Sequence, residues 1–269
     1  MTGFIGGGNM AEALIKGMRA RGGGDILVAE PLEQRRKYLE ETCKVRTTAS
    51  NREAAMESEV LIIAVKPQVI DNALADMKDA FAGGKDRKEQ KLAASIAAGI
   101  RLAYLEEKLG TENVVRAMPN TPALAGQGIT VLAMRECVSE AGLFGRVKEI
   151  FMSVGKVMVM PEKYMDAVTA LSGSGPAFFA LFVEGLVEGA VKQGLPRQQA
   201  LELAIQTAAG TIKMLEDGMD TTRLRVMVTS PGGTTQAGLN VLESRGFKDI
   251  LYDTIEAAAR RAEELARGF

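Results

Sequence analysis

The chain has 269 residues, 46% apolar and 25% charged, with a formal net charge of −1. Such a composition suits soluble domains with a real core, and with Lys and Arg spread along the chain nothing in it suggests a nucleic-acid surface. It contains no histidine, which removes the usual acid–base residue, the Ser-His and Cys-His pairs and most zinc chemistry, so no metal site is expected.

The chain opens on an apolar strand, Thr2–Ile5, then runs through Gly6-Gly7-Gly8-Asn9-Met10-Ala11 into helical spacing from Glu12 to Met18. Strand, turn and helix around Gly6-x-Gly8-x-x-Ala11 fit the dinucleotide fingerprint. Gly6 permits the turn, Gly8 admits a pyrophosphate to the backbone, and Ala11 allows close helix–strand packing. The helix start offers free N–H groups to the anion. A second strand, Asp25–Ala29, ends in Glu30, at the distance expected of a ribose-binding acid. That acid favours NADH. Arg35 and Arg36 suit either the 2′-phosphate of NADPH or a solvated helix face, so the cofactor stays open between NADPH and NADH.

Val60 to Val65 is apolar and rich in β-branched residues, as a strand buried on both faces of a parallel sheet requires. Pro67 closes it. Further strands are predicted at Leu92–Ala97, Val114–Met118, Gly128–Met134 and Lys156–Val159, with helices between them that include Leu102–Leu109 and Ser139–Phe151. This alternation predicts an α/β, Rossmann-type doubly wound parallel sheet.

Beyond Pro161 the strand signals stop. Met165–Leu171 reads as helix, and Ser172-Gly173-Ser174-Gly175-Pro176 interrupts it. Pro176 suits the first turn of a new helix, which runs from Ala177 to about Gln193 and carries Phe178, Phe179, Leu181, Phe182, Leu186, Val187 and Val191. It is apolar round much of its circumference and should be deeply buried, in its own core or against a second subunit. Its phenylalanines read as core. Gly194 ends it, and Arg197–Leu215, Thr234–Glu243 and Phe247–Ala266 complete an all-α half. The predicted domains are 1–161 and 162–269. In Ser230-Pro231-Gly232-Gly233-Thr234-Thr235, Pro231 should stop a preceding helix while the glycines let a ligand approach. A helix beginning at Thr234 would then point unpaired N–H groups at a carboxylate.

Together these motifs resemble pyrroline-5-carboxylate reductase over essentially the whole chain. The resemblance rests on GFIGGGNMAEALIKG (3–17), LIIAVKPQ (61–68), RAMPNTPALAGQGIT (116–130), LSGSGPAF (171–178) and VTSPGGTTQAGL (228–239), of which the last three are the specific ones. It implies reduction of 1-pyrroline-5-carboxylate to L-proline with hydride from NADPH or NADH, the final step of proline biosynthesis. It further implies a nucleotide-binding domain and an all-α C-terminal dimerisation domain, hence a homodimer, with a decamer as the larger assembly left open.

Carried over position by position, the resemblance assigns the cofactor to Gly6, Gly8, Asn9, Met10, Ala11, Glu30, Asn51, Ala64, Val65, Lys66, Pro67, Ser95, Ile96 and Ala97. It assigns the substrate to Met118, Pro119, Asn120, Ser174, Gly175, Pro176, Ser230, Gly232, Gly233, Thr234 and Thr235, with Thr235 as the catalytic hydroxyl beside the ring nitrogen. Lys66 reads equally as a packed surface lysine, and Ser172 and Ser174 also read as helix caps. Pro119-Asn120 alone reads as a turn, but its place at a strand's carboxyl end favours a site. Val226 and Met227 depart from the acid and polar residue usual before this family's SPGG, so that nucleotide contact is not carried over.

Hydride attack on a protonated or hydrogen-bonded imine needs neither nucleophile nor metal, which suits a chain without histidine. The rival reading is an imine reductase or 3-hydroxyacid dehydrogenase of the same architecture. The hydroxyacid enzymes place a lysine in the long helix, where this chain has only Lys192, at the far end. Cys43 and Cys137 are too few and too far apart for a disulfide framework, and no apolar run uninterrupted by charge or glycine spans a bilayer. The expected setting is cytoplasmic, with a small-molecule substrate and neither nucleic acid nor membrane as partner.

Overall fold

The computed structural model describes residues 1–82, 91–139 and 142–268. Its contacts divide the chain into two compact units, Met1–Ser174 with Ala258–Phe269, and Gly175–Ala257.

In the first unit, β1 (Thr2–Ile5), β2 (Ile26–Ala29), β3 (Arg46–Thr48), β4 (Val60–Ile63), β5 (Leu92–Ser95), β6 (Val114–Met118), β7 (Gly128–Met134) and β8 (Gly155–Val159) form one sheet. Its order is β3-β2-β1-β4-β5-β6-β7-β8. Helices α1 (Asn9–Ala20), α2 (Glu33–Cys43), α3 (Asn51–Glu57), α4 (Ile70–Ala82), α5 (Leu102–Leu109), α6 (Glu136–Ser139) and α7 (Gly142–Met152) fill the connections. The predicted helix Ser139–Phe151 is represented by the end of α6 and by α7; residues 140 and 141 lie outside the described residues.

Strands β1, β2, β4 and β5 are buried along their whole length. Successive side chains must therefore enter different layers. Phe4, Val28, Ile62 and Ala94 join Leu14 and Ile15 of α1, Leu39 of α2 and Phe151 of α7 in one core. Ile5, Leu27, Leu61, Ile63 and Ala93 join Ala54 of α3, Leu74 and Met77 of α4 and Leu105 of α5 in the other. A buried Leu, Ile or Phe contributes about 1.5–3 kcal/mol relative to an exposed one. Ile62→Asp would instead leave an unpaired carboxylate in the first core.

Strands β1 to β6 run parallel, so the doubly wound sheet agrees with expectation. Two features are additional. The edge strand β3 has no apolar run to betray it. Strand β7 lies antiparallel to β6, pairing Met118 with Val131 and Val115 with Met134, while β8 runs parallel to β7.

After β8, α8 (Met165–Val168) is followed by a π turn, Thr169–Gly173, and then by α9 (Gly175–Lys192). The Ser/Gly/Pro cluster was expected to interrupt the helix, but it widens one turn instead. Ser174 N–H donates to Thr169 O (2.9 Å), and Ser172 Oγ donates to Val168 O (3.0 Å) without capping anything.

The second unit holds α9, α10 (Arg197–Glu216), α11 (Thr221–Met227), α12 (Thr234–Ser244) and the first part of α13 (Phe247–Ala266). Asp220 caps α11 by accepting the N–H groups of Thr222 and Arg223. That helix ends at Met227, before Pro231 is reached. Within this chain α9 is not deeply buried: Phe179 is 66% exposed, Leu181 68% and Phe182 45%. The stretch Glu162–Lys192, 31 residues, is long and apolar enough to cross a bilayer by length and composition alone.

Candidate functional site

The carboxyl ends of the central strands are level, because Ile5 pairs with both Ala29 and Ile63, and Ile63 pairs with Ser95. The segments that follow them therefore line one edge of the sheet. These are Gly6–Ala11 after β1, Glu30 after β2, Ala64–Pro67 after β4, Ile96–Ala97 after β5 and Pro119–Asn120 after β6. Between β1 and β4 the winding reverses direction, which opens the crevice where such sheets bind ligands.

At Gly6 φ is +93°, and a Cβ there would lie 2.8 Å from the Ala64 carbonyl oxygen. Only glycine makes this turn without strain. Gly8 precedes α1 with no side-chain cap, and nothing stands within 4 Å of where its Cβ would be. The first helical bond runs from Glu12 N–H to Gly8 O (2.9 Å). That leaves the N–H groups of Asn9, Met10 and Ala11 for an anion. An open backbone cradle of this kind fits a dinucleotide pyrophosphate.

The peptide groups of Gly7 are clamped on both sides. Its N–H donates to Glu30 Oε2 (2.9 Å), and its carbonyl accepts from Arg35 Nε (2.6 Å). Glu30 is only 9% exposed and accepts a second backbone donor, Leu32 N–H, on Oε1 (3.0 Å). Arg35 is anchored in turn by Glu12 Oε2 (2.6 Å). Burial works against the Glu12 charge, but hydrogen bonds from Lys16, Arg35 and Tyr38 outweigh it and hold the carboxyl below its ordinary value. Sequence reasoning missed this brace, since no local spacing links residues 7, 12, 30 and 35.

The other predicted residues of the first unit occupy distinct places. Asn51 opens α3, with Nδ2 donating to Asp76 Oδ2 (3.1 Å). Lys66 is exposed at the head of the short 3-10 turn Pro67–Val69. Ser95 is fully buried, its Oγ accepting Ala97 N–H (3.3 Å). Asn120 Oδ1 accepts Ile129 N–H (2.9 Å), which fixes the amide and leaves Nδ2 as a donor without a partner among the described residues. Met118 meets the π turn, since a Cβ on Gly173 would fall 2.6 Å from its methyl group, and half-buried Ser174 comes next. Beside them, buried Arg116, which the sequence reading did not single out, sits 3.0 Å from Glu162 and 3.7 Å from Asp166.

The remaining substrate residues belong to the second unit. Gly175 and Pro176 begin α9. Gly232, at φ +70°, reverses the chain after Ser230-Pro231, and Gly233 N–H donates to Ser230 O (3.0 Å). Gly233 then precedes α12 with no side-chain cap. The first helical bond there is Ala237 N–H to Gly233 O (3.1 Å), so the N–H groups of Thr234, Thr235 and Gln236 are the unclaimed ones. Thr211, Thr229 and Thr254 each give their hydroxyl to the carbonyl four residues back. Thr235 Oγ1, half-buried, has no partner among the described residues.

Comparison with known proteins adds to this geometry. A family model described as pyrroline-5-carboxylate reductase dimerisation matches residues 162–265, and one described as coenzyme F420-dependent NADP oxidoreductase matches residues 1–99. The pyrroline-5-carboxylate reductase of Synechocystis sp. is 44% identical, with 98% of each chain covered. Among solved structures, the Coxiella burnetii enzyme of that name superposes with a TM-score of 0.90 at 36% identity, covering 98% of both chains. The Plasmodium falciparum pyrroline carboxylate reductase, solved with NADP bound, gives 0.86 at 32% identity, covering 98% of this chain and 97% of that one. With a glycine-turn crevice in one unit, an uncapped SPGGTT helix in the other and likeness running through both, the chain belongs to the pyrroline-5-carboxylate reductase family.

Proposed function

We propose that this protein reduces 1-pyrroline-5-carboxylate to L-proline with hydride from NAD(P)H, the final step of proline biosynthesis. The observation that carries this reading is the 44% identity to a pyrroline-5-carboxylate reductase across 98% of each chain. The bound nicotinamide supplies the hydride; the protein supplies binding, orientation and hydrogen bonds.

The Gly6–Ala11 turn holds the pyrophosphate on its free N–H groups. Glu30 and Asn51 stand on the adenosine side, while Ala64–Pro67 and Ser95–Ala97 continue the nucleotide site along the crevice. The unclaimed N–H groups of Thr234, Thr235 and Gln236 grip the substrate carboxylate, favoured by the helix dipole. The free hydroxyl of Thr235 hydrogen-bonds the ring nitrogen, orienting the imine as its carbon accepts hydride. The nitrogen gains its proton from solvent, either directly or relayed through that hydroxyl, which takes a proton from solvent as it gives one up. Met118–Asn120, Ser174–Pro176 and Ser230–Gly233 complete the substrate site.

In this reading residues 1–161 are the nucleotide domain, and residues 162–269 bind substrate and pair two copies. Exposed Phe179, Leu181 and Leu186 give α9 the surface of an obligate interface, so a second copy rather than a lipid covers the apolar stretch Glu162–Lys192. Homodimers assembling into decamers, in the cytoplasm, complete the proposal.

The test is nicotinamide absorbance with purified protein, both reduced cofactors and 1-pyrroline-5-carboxylate. Cofactor oxidation that depends on the imine supports the assignment. Turnover of a 3-hydroxyacid or another cyclic imine, with none of pyrroline-5-carboxylate, would replace it with the rival reading.

A further inference from the structure

The cations at the start of α2 follow the tip of β2, beside the expected adenosine ribose, yet they are not equivalent. Arg35 is neutralised by Glu12 (2.6 Å) and held to the Gly7 carbonyl. Lys37 pairs with Glu33 (2.7 Å) along the helix. Arg36 has no carboxylate partner among the described residues. Its NH1 group is clasped by the carbonyls of Glu30 (2.8 Å) and Pro31 (2.9 Å), while Nε and NH2 remain as donors. The guanidinium is thus fixed on the strand tip, half-buried, with an unspent charge. Glu30, the group expected to repel a 2′-phosphate, has turned its two oxygens to the N–H groups of Gly7 and Leu32. Those donors already offset much of its charge.

Resting on the nucleotide site proposed above, we infer that Arg36 receives the 2′-phosphate and gives this chain its preference for NADP(H) over NAD(H). The arrangement suits the task physically. A guanidinium braced by two carbonyls has lost most of its freedom before the ligand arrives, and its remaining N–H groups match the oxygens of a phosphate. Arg35 cannot substitute, because its charge and its Nε are already used in holding the glycine turn.

The experiment is calorimetric titration of the purified protein with NADP⁺, NAD⁺ and, as a probe of the 2′-phosphate alone, 2′,5′-ADP. It compares wild type with Arg36→Gln and Arg36→Lys, none of which alters a core contact. Arg36→Gln should weaken NADP⁺ and 2′,5′-ADP about tenfold, the weight of one charge-assisted hydrogen bond. It should leave NAD⁺ within about twofold, and Arg36→Lys should keep part of the preference. Unchanged NADP⁺ affinity in Arg36→Gln, or equal weakening of both nucleotides, overturns the assignment of Arg36 while leaving the nucleotide site standing. Wild-type protein that binds neither nucleotide overturns the site itself, and Arg36 with it.

Discussion

Substituting Glu30 by Gln separates a residue that braces the glycine turn from one that only reads a ribose. In wild type the carboxylate accepts Gly7 N–H at 2.9 Å and Leu32 N–H at 3.0 Å, in a site 9% exposed. A glutamine of the same shape keeps one oxygen and turns an NH2 group toward the second donor. The remaining bond loses its charge, and a half-enclosed N–H loses its acceptor. Together these should cost about 2–3 kcal/mol. The readout is amide hydrogen exchange of the Gly7 peptide, which follows local opening and does not require the whole chain to unfold in one step. Exchange should quicken about thirtyfold or more, and NAD⁺ and NADP⁺ should weaken alike, because both use the turn. Unchanged exchange at Gly7, with loss confined to NAD⁺, would refute the bracing argument and leave Glu30 as a ribose acceptor only.

Thr235→Ala removes a hydroxyl at the head of α12 that has no hydrogen-bond partner among the described residues. We expect kcat/KM to fall about ten- to hundredfold with nucleotide affinity unchanged, and wild-type kinetics would remove Thr235 from the mechanism. Glu12 ties stability to acid. Because its folded carboxyl titrates below the ordinary 4.5, its contribution is complete above that value and fades as the pH falls through the lowered one. Glu12→Gln should therefore flatten the acid limb of a urea-midpoint profile, and equal acid loss in both proteins would exclude the network. Phe179→Glu with Leu181→Glu should abolish the dimer by light scattering and, because an obligate interface leaves no stable monomer, lower the helical signal in circular dichroism; an unchanged dimer would place the interface elsewhere.

Strands β1, β2, β4 and β5 were legible because burial on both faces favours largely apolar runs, and the glycine turn because its backbone restricts residue choice. The edge strand β3 was not, since Arg46–Thr48 needs no apolar face. The cluster at 172–176 reads as a break from composition alone. Only the bond from Ser174 to Thr169 shows that the helical path widens there. The phenylalanines of α9 were read as core from their hydrophobicity, yet hydrophobicity does not say whether the covering surface lies in the same chain. At the candidate site, side-chain types were readable and their commitments were not. Arg35 and Arg36 look alike in sequence, and partners 23 to 28 residues away make one of them spoken for.

The antiparallel step at β7 bears on access to the crevice. Met118, the last residue of β6, stands opposite Val131, while β7 begins earlier, pairing Gly128, Ile129 and Thr130 with Gly155, Lys156 and Val157 of β8. At about 3.3 Å per residue, that two-stranded ribbon overshoots the level rim of the neighbouring strand by roughly 10 Å. The rim is thus a ledge with a parapet at one end, fastened to it by Asn120 through Ile129. A molecule settling on the ledge meets a fixed stop on the β6 side, so its reach along the rim is limited by main chain, which point substitutions of side chains would do little to move.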